Sequence, residues 1–273
     1  MASTSVTTLS DLSAPAVSRL SARFAALKAE GRKALVCYVT AGHPDPSQSV
    51  ALLRGLARAG ADVIEVGVPF SDPMADGPVI QQSSQVALDH GITLARTLDI
   101  VQEAAVEVPI VLFSYLNPII AGGSDALVRA RAAGVDGVLI TDLPVGADPV
   151  REAWFGASGL DFVRLVAPTT PLARMEEIGR HGGGFVYLIS RLGVTGERAA
   201  LPDDLPETVA RLRAATDLPL CIGFGISTPE QARTAAALGD GVVVGSAIVR
   251  AAGQSVDDAV ALVAAMRAAI DAH

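Results

Sequence analysis

From about residue 18 the chain alternates short, almost continuous apolar runs with longer stretches of helical period. The runs predicted as strands are Ala34–Thr40, Val63–Val68, Ile110–Ser114, Gly137–Ile140, Phe162–Val166, Phe185–Ile189, Leu218–Gly223 and Gly241–Gly245. Their Val, Ile and Leu content fits parallel strands covered on both faces. Between them the spacing predicts helices, among them Ser47–Arg58, Val79–Ala87, Ala126–Ala132, Leu172–Arg180, Pro229–Leu238 and Val256–Ala269. Three segments echo one another before a strand: Ala59-Gly60-Ala61-Asp62, Ala133-Gly134-Val135-Asp136 and Leu238-Gly239-Asp240. Glycine there suits a left-handed helix end, and aspartate a tight turn into the strand. A doubly wound sheet would carry a G-x-G-x-x-G turn after its first strand, and Val39-Thr40-Ala41-Gly42-His43-Pro44 is not one. The expected fold is therefore a single (β/α)8 barrel spanning 18–273, behind an extension over residues 1–17.

The pattern breaks once inside a strand. Glu65 interrupts the apolar run Val63-Ile64-Glu65-Val66-Gly67-Val68. Alternation puts Val63, Glu65 and Gly67 on one face and Ile64, Val66 and Val68 on the other. If the first face looks inward, a carboxylate sits in the core with space opened above it by Gly67. No adjacent strand offers an obvious cation, so burial should raise its pKa toward that of a proton shuttle near neutrality. The loop that follows, Pro69-Phe70-Ser71-Asp72-Pro73-Met74-Ala75-Asp76-Gly77-Pro78, lies where barrels place catalytic groups. Either Asp72 or Asp76 can fold back over the pocket, and either can be an ordinary turn or cap residue.

A second constellation follows strands six to eight: Ser190-Arg191-Leu192-Gly193-Val194-Thr195-Gly196, then Gly223-Phe224-Gly225-Ile226-Ser227, then Val244-Gly245-Ser246-Ala247. Glycines let backbone N–H groups close on an anion, and barrels frequently hold phosphate on these loops. Tyr38, Phe113, Tyr187 and Phe224 fall on or just after strands, as pocket lining or as plain core. The loop from Arg191 to Pro202 reads as a lid joined to the phosphate site.

Composition narrows the chemistry further. The formal charge of −8 disfavours a general polyanion binder, and no stretch is apolar enough to span a membrane. The two cysteines, Cys37 and Cys221, form no disulfide framework or metal pattern, which points to the cytoplasm. The only two lysines, Lys28 and Lys33, precede or open the first strand, so no lysine is placed for a Schiff base. His43, His90, His181 and His273 show no paired ligand spacing, and no metal is expected.

Taken together, the segments Glu65–Pro78, Leu188–Gly196 and Gly223–Ser227 resemble the tryptophan synthase alpha chain family, and the resemblance runs from about residue 20 to the end. It implies a (β/α)8 barrel that cleaves indole-3-glycerol phosphate to indole and glyceraldehyde 3-phosphate. It assigns the two essential carboxylates to Glu65 and Asp76. The phosphate ligands fall on Gly196, Gly225, Gly245 and Ser246. Tyr187 and Thr195 match positions supporting the catalytic aspartate and the closed loop. The implied partner is a pyridoxal phosphate-dependent beta chain in an α2β2 heterotetramer, with no cofactor in this chain. Tyr38 stands where many members have Phe, His43 where many have Asp, and the N-terminal extension is longer than usual.

Overall fold

The computed structural model describes residues 17–189, 203–223 and 225–272. Its strands are β1 (Ala34–Thr40), β2 (Val63–Gly67), β3 (Ile110–Ser114), β4 (Gly137–Ile140), β5 (Asp161–Val166), β6 (Val186–Ile189), β7 (Leu220–Gly223) and β8 (Gly241–Val244). The described helices are α1 (Arg19–Ala29), α2 (Pro46–Arg58), α3 (Pro78–Asp89), α4 (Leu94–Ala104), α5 (Leu116–Ala121) and α6 (Ala126–Ala132), followed by α7 (Pro149–Ala157), α8 (Leu172–Arg180), α9 (Leu205–Ala215), α10 (Pro229–Leu238), α11 (Ser246–Ala252) and α12 (Val256–Asp271). All eight strands pair in parallel, and β8 closes onto β1. The expected barrel is what the chain forms.

Strand alternation divides the apolar residues into two shells. Val36, Val63, Val111, Leu139, Val163, Phe185, Cys221 and Val243 fill the lumen, while Ile64, Val66, Leu112 and Val138 pack outward against the helices. The floor of the lumen is closed by α1, whose Leu20, Phe24 and Leu27 lie at i, i+4, i+7 spacing and are buried in the inner cluster. Ser18 caps α1, accepting from the Ser21 amide, and its hydroxyl donates to Asp161 at the start of β5. With its floor plugged and its lumen packed, the barrel leaves the C-terminal rim to carry chemistry.

The echoed segments do different work from a plain turn. Gly60 and Gly134 are left-handed, at φ 103° and 99°. Gly239 is not: at φ −104° it is extended, and it is glycine because a Cβ there would lie 2.8 Å from the Leu220 carbonyl. The aspartates reach across to the neighbouring strand. Asp62 accepts from Leu35 N–H at 2.8 Å, Asp136 from Ile110 N–H at 2.9 Å and Asp240 from Leu220 N–H at 2.8 Å. Each also pairs with an arginine: Asp62 with Arg23 and Arg267, Asp136 with Arg19, Asp240 with Arg213.

Asp62 is the most consequential of these clamps because it is fully buried among the guanidinium groups of Arg23, Arg267 and, at 3.9 Å, Arg32. Removing it takes the acceptor from the buried Leu35 N–H and leaves the buried Arg267 with Asp271 as its one carboxylate partner. Asp62→Ala is expected to lose about 3–5 kcal/mol of stability in urea unfolding. A loss below about 1 kcal/mol, the range of an exposed pair, would show that the clamp is energetically idle.

Candidate active site

Glu65 sits in the middle of β2, in register with Tyr38 on β1 and Val111 on β3. It faces the lumen, as alternation predicted, and is completely buried. Among the described residues neither carboxylate oxygen has a hydrogen-bond partner. Loss of hydration disfavours the charged form, and burial pushes its pKa up to about 8. At neutral pH this carboxyl carries a proton.

The space expected above Glu65 is already occupied. A Cβ on Gly67 would collide with the Tyr38 hydroxyl, and one on Gly223 would collide with the Tyr187 hydroxyl. Each tyrosine thus leans over a glycine of the next strand, so the layer above the carboxyl is phenolic rather than empty. Phe113 packs edge-on against Tyr38, with ring centroids 5.1 Å apart. Both phenols stay neutral: burial is the main cause of their raised pKa, with the Asp76 and Glu65 charges adding at Tyr38 and the Glu65 charge at Tyr187.

The loop between β2 and α3 separates the two aspartates by environment. Asp72 is exposed, and its carboxylate accepts from the adjacent Ser71 hydroxyl at 2.6 Å. Asp76 is buried, and Tyr115 donates to its Oδ2 at 3.2 Å. The same phenol oxygen accepts from Ala75 N–H at 2.8 Å, while Phe70 stacks on the Tyr115 ring at 5.0 Å. Gln81 from α3 donates to the Asp76 carbonyl at 2.8 Å. Burial raises the Asp76 pKa to about 6, partly offset by the Tyr115 hydrogen bond. The loop therefore returns Asp76, and not Asp72, to the interior.

Tyr115 was missed by sequence reasoning. Its signal is positional: it directly follows β3 at the catalytic end of the barrel, two residues after Phe113. A tyrosine beyond the last strand residue is free to reach across to the neighbouring loop, which is what it does here.

Of the glycine-rich turns, two are described. Gly225, after β7, holds φ 81°, a conformation that L side chains rarely adopt. Gly245 precedes α11, and Ser246 is its first residue. Because β7 and β8 are neighbours, both turns open at the same end of the barrel. The first N–H groups of a helix lack intrahelical partners, so Ser246 and Ala247 open a turn suited to an anion. Gly196, Thr195, Phe224 and the Arg191–Pro202 loop lie outside the described residues. No group of three or more His, Cys, Asp or Glu arranged to hold a metal occurs among the described residues.

A closed eight-stranded parallel barrel with two desolvated carboxyl groups at its catalytic end places the protein among the (β/α)8-barrel enzymes. The sequence model of the family described as "Tryptophan synthase alpha chain" matches residues 24–272. A tryptophan synthase alpha chain from Gluconacetobacter diazotrophicus is 49% identical over 245 residues, covering 88% of this chain and 89% of that one. The crystal structure of tryptophan synthase subunit alpha from Legionella pneumophila strain Paris superposes with a TM-score of 0.87 at 37% identity, covering 94% of this chain and 99% of that one. A chain of Mycobacterium tuberculosis tryptophan synthase gives a TM-score of 0.88 at 35% identity, covering 94% and 100%. The chain belongs to the tryptophan synthase alpha chain family. Its activity is that of a carbon–carbon lyase of tryptophan biosynthesis, cleaving indole-3-glycerol phosphate.

Proposed function

We propose that Glu65 and Asp76 carry the cleavage, with Glu65 as general acid and then base and Asp76 as the anion facing the indole N–H. The observation that carries this reading is the divergence of the two carboxyl groups, one pushed up to about 8 and the other to about 6. At neutral pH the first is protonated and the second is ionised, as an acid–base pair requires.

The reaction is a retro-aldol in which indole C3 must leave from carbon. Glu65 gives its proton to C3, making the ring a cationic iminium whose charge Asp76 stabilises at N–H. The Glu65 carboxylate then takes the proton of the hydroxyl on the adjacent carbon. As the aldehyde forms, the C–C bond pair flows into the C2–C3 bond and the iminium π pair returns to nitrogen. Glu65 ends protonated, C3 keeps its new hydrogen, and indole and glyceraldehyde 3-phosphate are released. Gly225, Gly245 and Ser246, with Gly196, are the proposed phosphate ligands. They fix the substrate's position and leave the chemistry to the carboxyl groups.

The proposed partner is a beta chain that carries pyridoxal phosphate and consumes the indole, in an α2β2 assembly. This chain's own lysines support that division of labour. Lys28 lies in the last turn of α1 and Lys33 immediately before β1, both on the closed floor of the barrel. Cys37 and Cys221 are buried and unpaired, which suits the cytoplasm as the proposed compartment. No described helix is long and apolar enough to cross a membrane.

The pH profile of indole release tests the assignment. Ionised Asp76 and protonated Glu65 together predict a bell for kcat/KM, rising through about pH 6 and falling through about pH 8. Asp76→Asn should remove the acid limb from whatever activity remains. A profile flat between pH 5 and 9 would sink the paired-carboxyl reading.

A further inference from the structure

A buried line of hydroxyl groups leads from the barrel lumen to α3. Tyr38 Oη lies 3.3 Å from Thr40 Oγ1, and Thr40 Oγ1 lies 2.7 Å from Ser83 Oγ. Ser83 Oγ in turn donates to the Ile80 carbonyl at 2.8 Å. Each hydroxyl owns one proton, and a carbonyl only accepts. With all three contacts made, the order is fixed backwards from the carbonyl. Ser83 spends its proton on Ile80, so Thr40 donates to Ser83, and Tyr38 donates to Thr40. The Tyr38 proton is thereby committed to the line, and its oxygen is left as an acceptor. Among the described residues its hydrogen-bond partner is Thr40, which this order makes the acceptor.

The place of this acceptor is defined by its neighbours. The hydroxyl occupies the volume a Gly67 side chain would fill, one inward position above Glu65 on β2. On the other side of β1, the Cβ position of Gly245 lies 3.5 Å from Tyr38 Cβ. Since β1 stands between β8 and β2, Tyr38 bridges the distance from the phosphate turn to the reacting carboxyl. A glycerol phosphate chain anchored at Gly245 and cleaved at Glu65 must cross it.

We propose that Tyr38 Oη is a specificity-determining acceptor for a hydroxyl on the glycerol chain of the substrate, held in acceptor orientation by Thr40, Ser83 and Ile80. The proposal rests on the reading of this rim as the substrate site. Asp76 is the better partner for the indole N–H because it is charged, which leaves the chain hydroxyls as the donors for a neutral phenol oxygen.

Tyr38→Phe removes the oxygen and leaves the Thr40–Ser83–Ile80 line intact. The test compares indole-3-glycerol phosphate with indolepropanol phosphate, which keeps the ring N–H and the phosphate but has no chain hydroxyls. The expected result is a fall of roughly 3- to 10-fold in kcat/KM for the substrate, the scale of one lost neutral hydrogen bond. Affinity for the analogue should stay unchanged, which also reports that the site is folded. An unchanged kcat/KM in Tyr38→Phe, or an equal loss for the analogue, would overturn the proposal. Glu65→Gln assayed alongside separates the two readings. If it stays active, the rim is not the substrate site; if it is dead while Tyr38→Phe is normal, only the Tyr38 assignment falls.

Discussion

Glu65→Gln should lower kcat by about 10²–10⁴-fold while making the protein more resistant to unfolding. Glutamine keeps the shape of the side chain but has no proton to give to indole C3 and no charge with which to recover one. The stability effect has the opposite sign for the same physical reason. The Glu65 pKa rises from about 4.3 in an unfolded chain to about 8 in the barrel. The folded state therefore holds the proton more tightly, and stability falls as pH climbs through that window. A neutral isostere escapes this cost above about pH 4.3, so the gain in unfolding midpoint should grow from pH 5 to pH 8. Loss of activity together with a raised midpoint cannot come from misfolding. More than a tenth of wild-type activity, with phosphate-ligand affinity normal, would remove Glu65 from the mechanism.

That carboxyl is legible in the sequence because a β-strand has a period of two and a charged residue at an inward position has few ordinary structural uses. The same periodicity located all eight strands, with ends displaced by no more than two residues. Pro219, which lacks an N–H, is where the predicted seventh strand begins late, at Leu220. Loop geometry was not legible. Asp72 and Asp76 both precede a turn residue, and their difference arises from a tyrosine on another strand–helix unit, 39 positions away in sequence. The Tyr38 hydroxyl over Gly67 was likewise invisible, because it depends on register between β1 and β2 and not on either run alone. The floor clamps show the same limit from the other side. The echo at Asp62, Asp136 and Asp240 is visible in the sequence, but its purpose is not, since each carboxylate bonds to a strand that precedes it in the chain.

Asp76→Asn should be crippled by about 10²-fold or more in kcat, the loss expected when a positioned charge facing the developing cation is removed. The substitution leaves an oxygen to accept from Tyr115, so the loop fold between Phe70 and Gln81 should persist. What it removes is the negative charge opposite the indole nitrogen, and the amide end it introduces is a donor facing another donor. Tyr115→Phe should act in the same direction but less severely. It deletes the hydrogen bond that holds Asp76 below the pKa burial alone would give, so the acid limb of the pH profile should move upward from about 6. Asp72→Asn is the control: this side chain is exposed and engaged with Ser71, and its loss should leave indole release near wild type. Impairment of Asp72→Asn with a normal Asp76→Asn would mean that the loop presents the other carboxylate during turnover. An unshifted acid limb in Tyr115→Phe would detach that limb from Asp76.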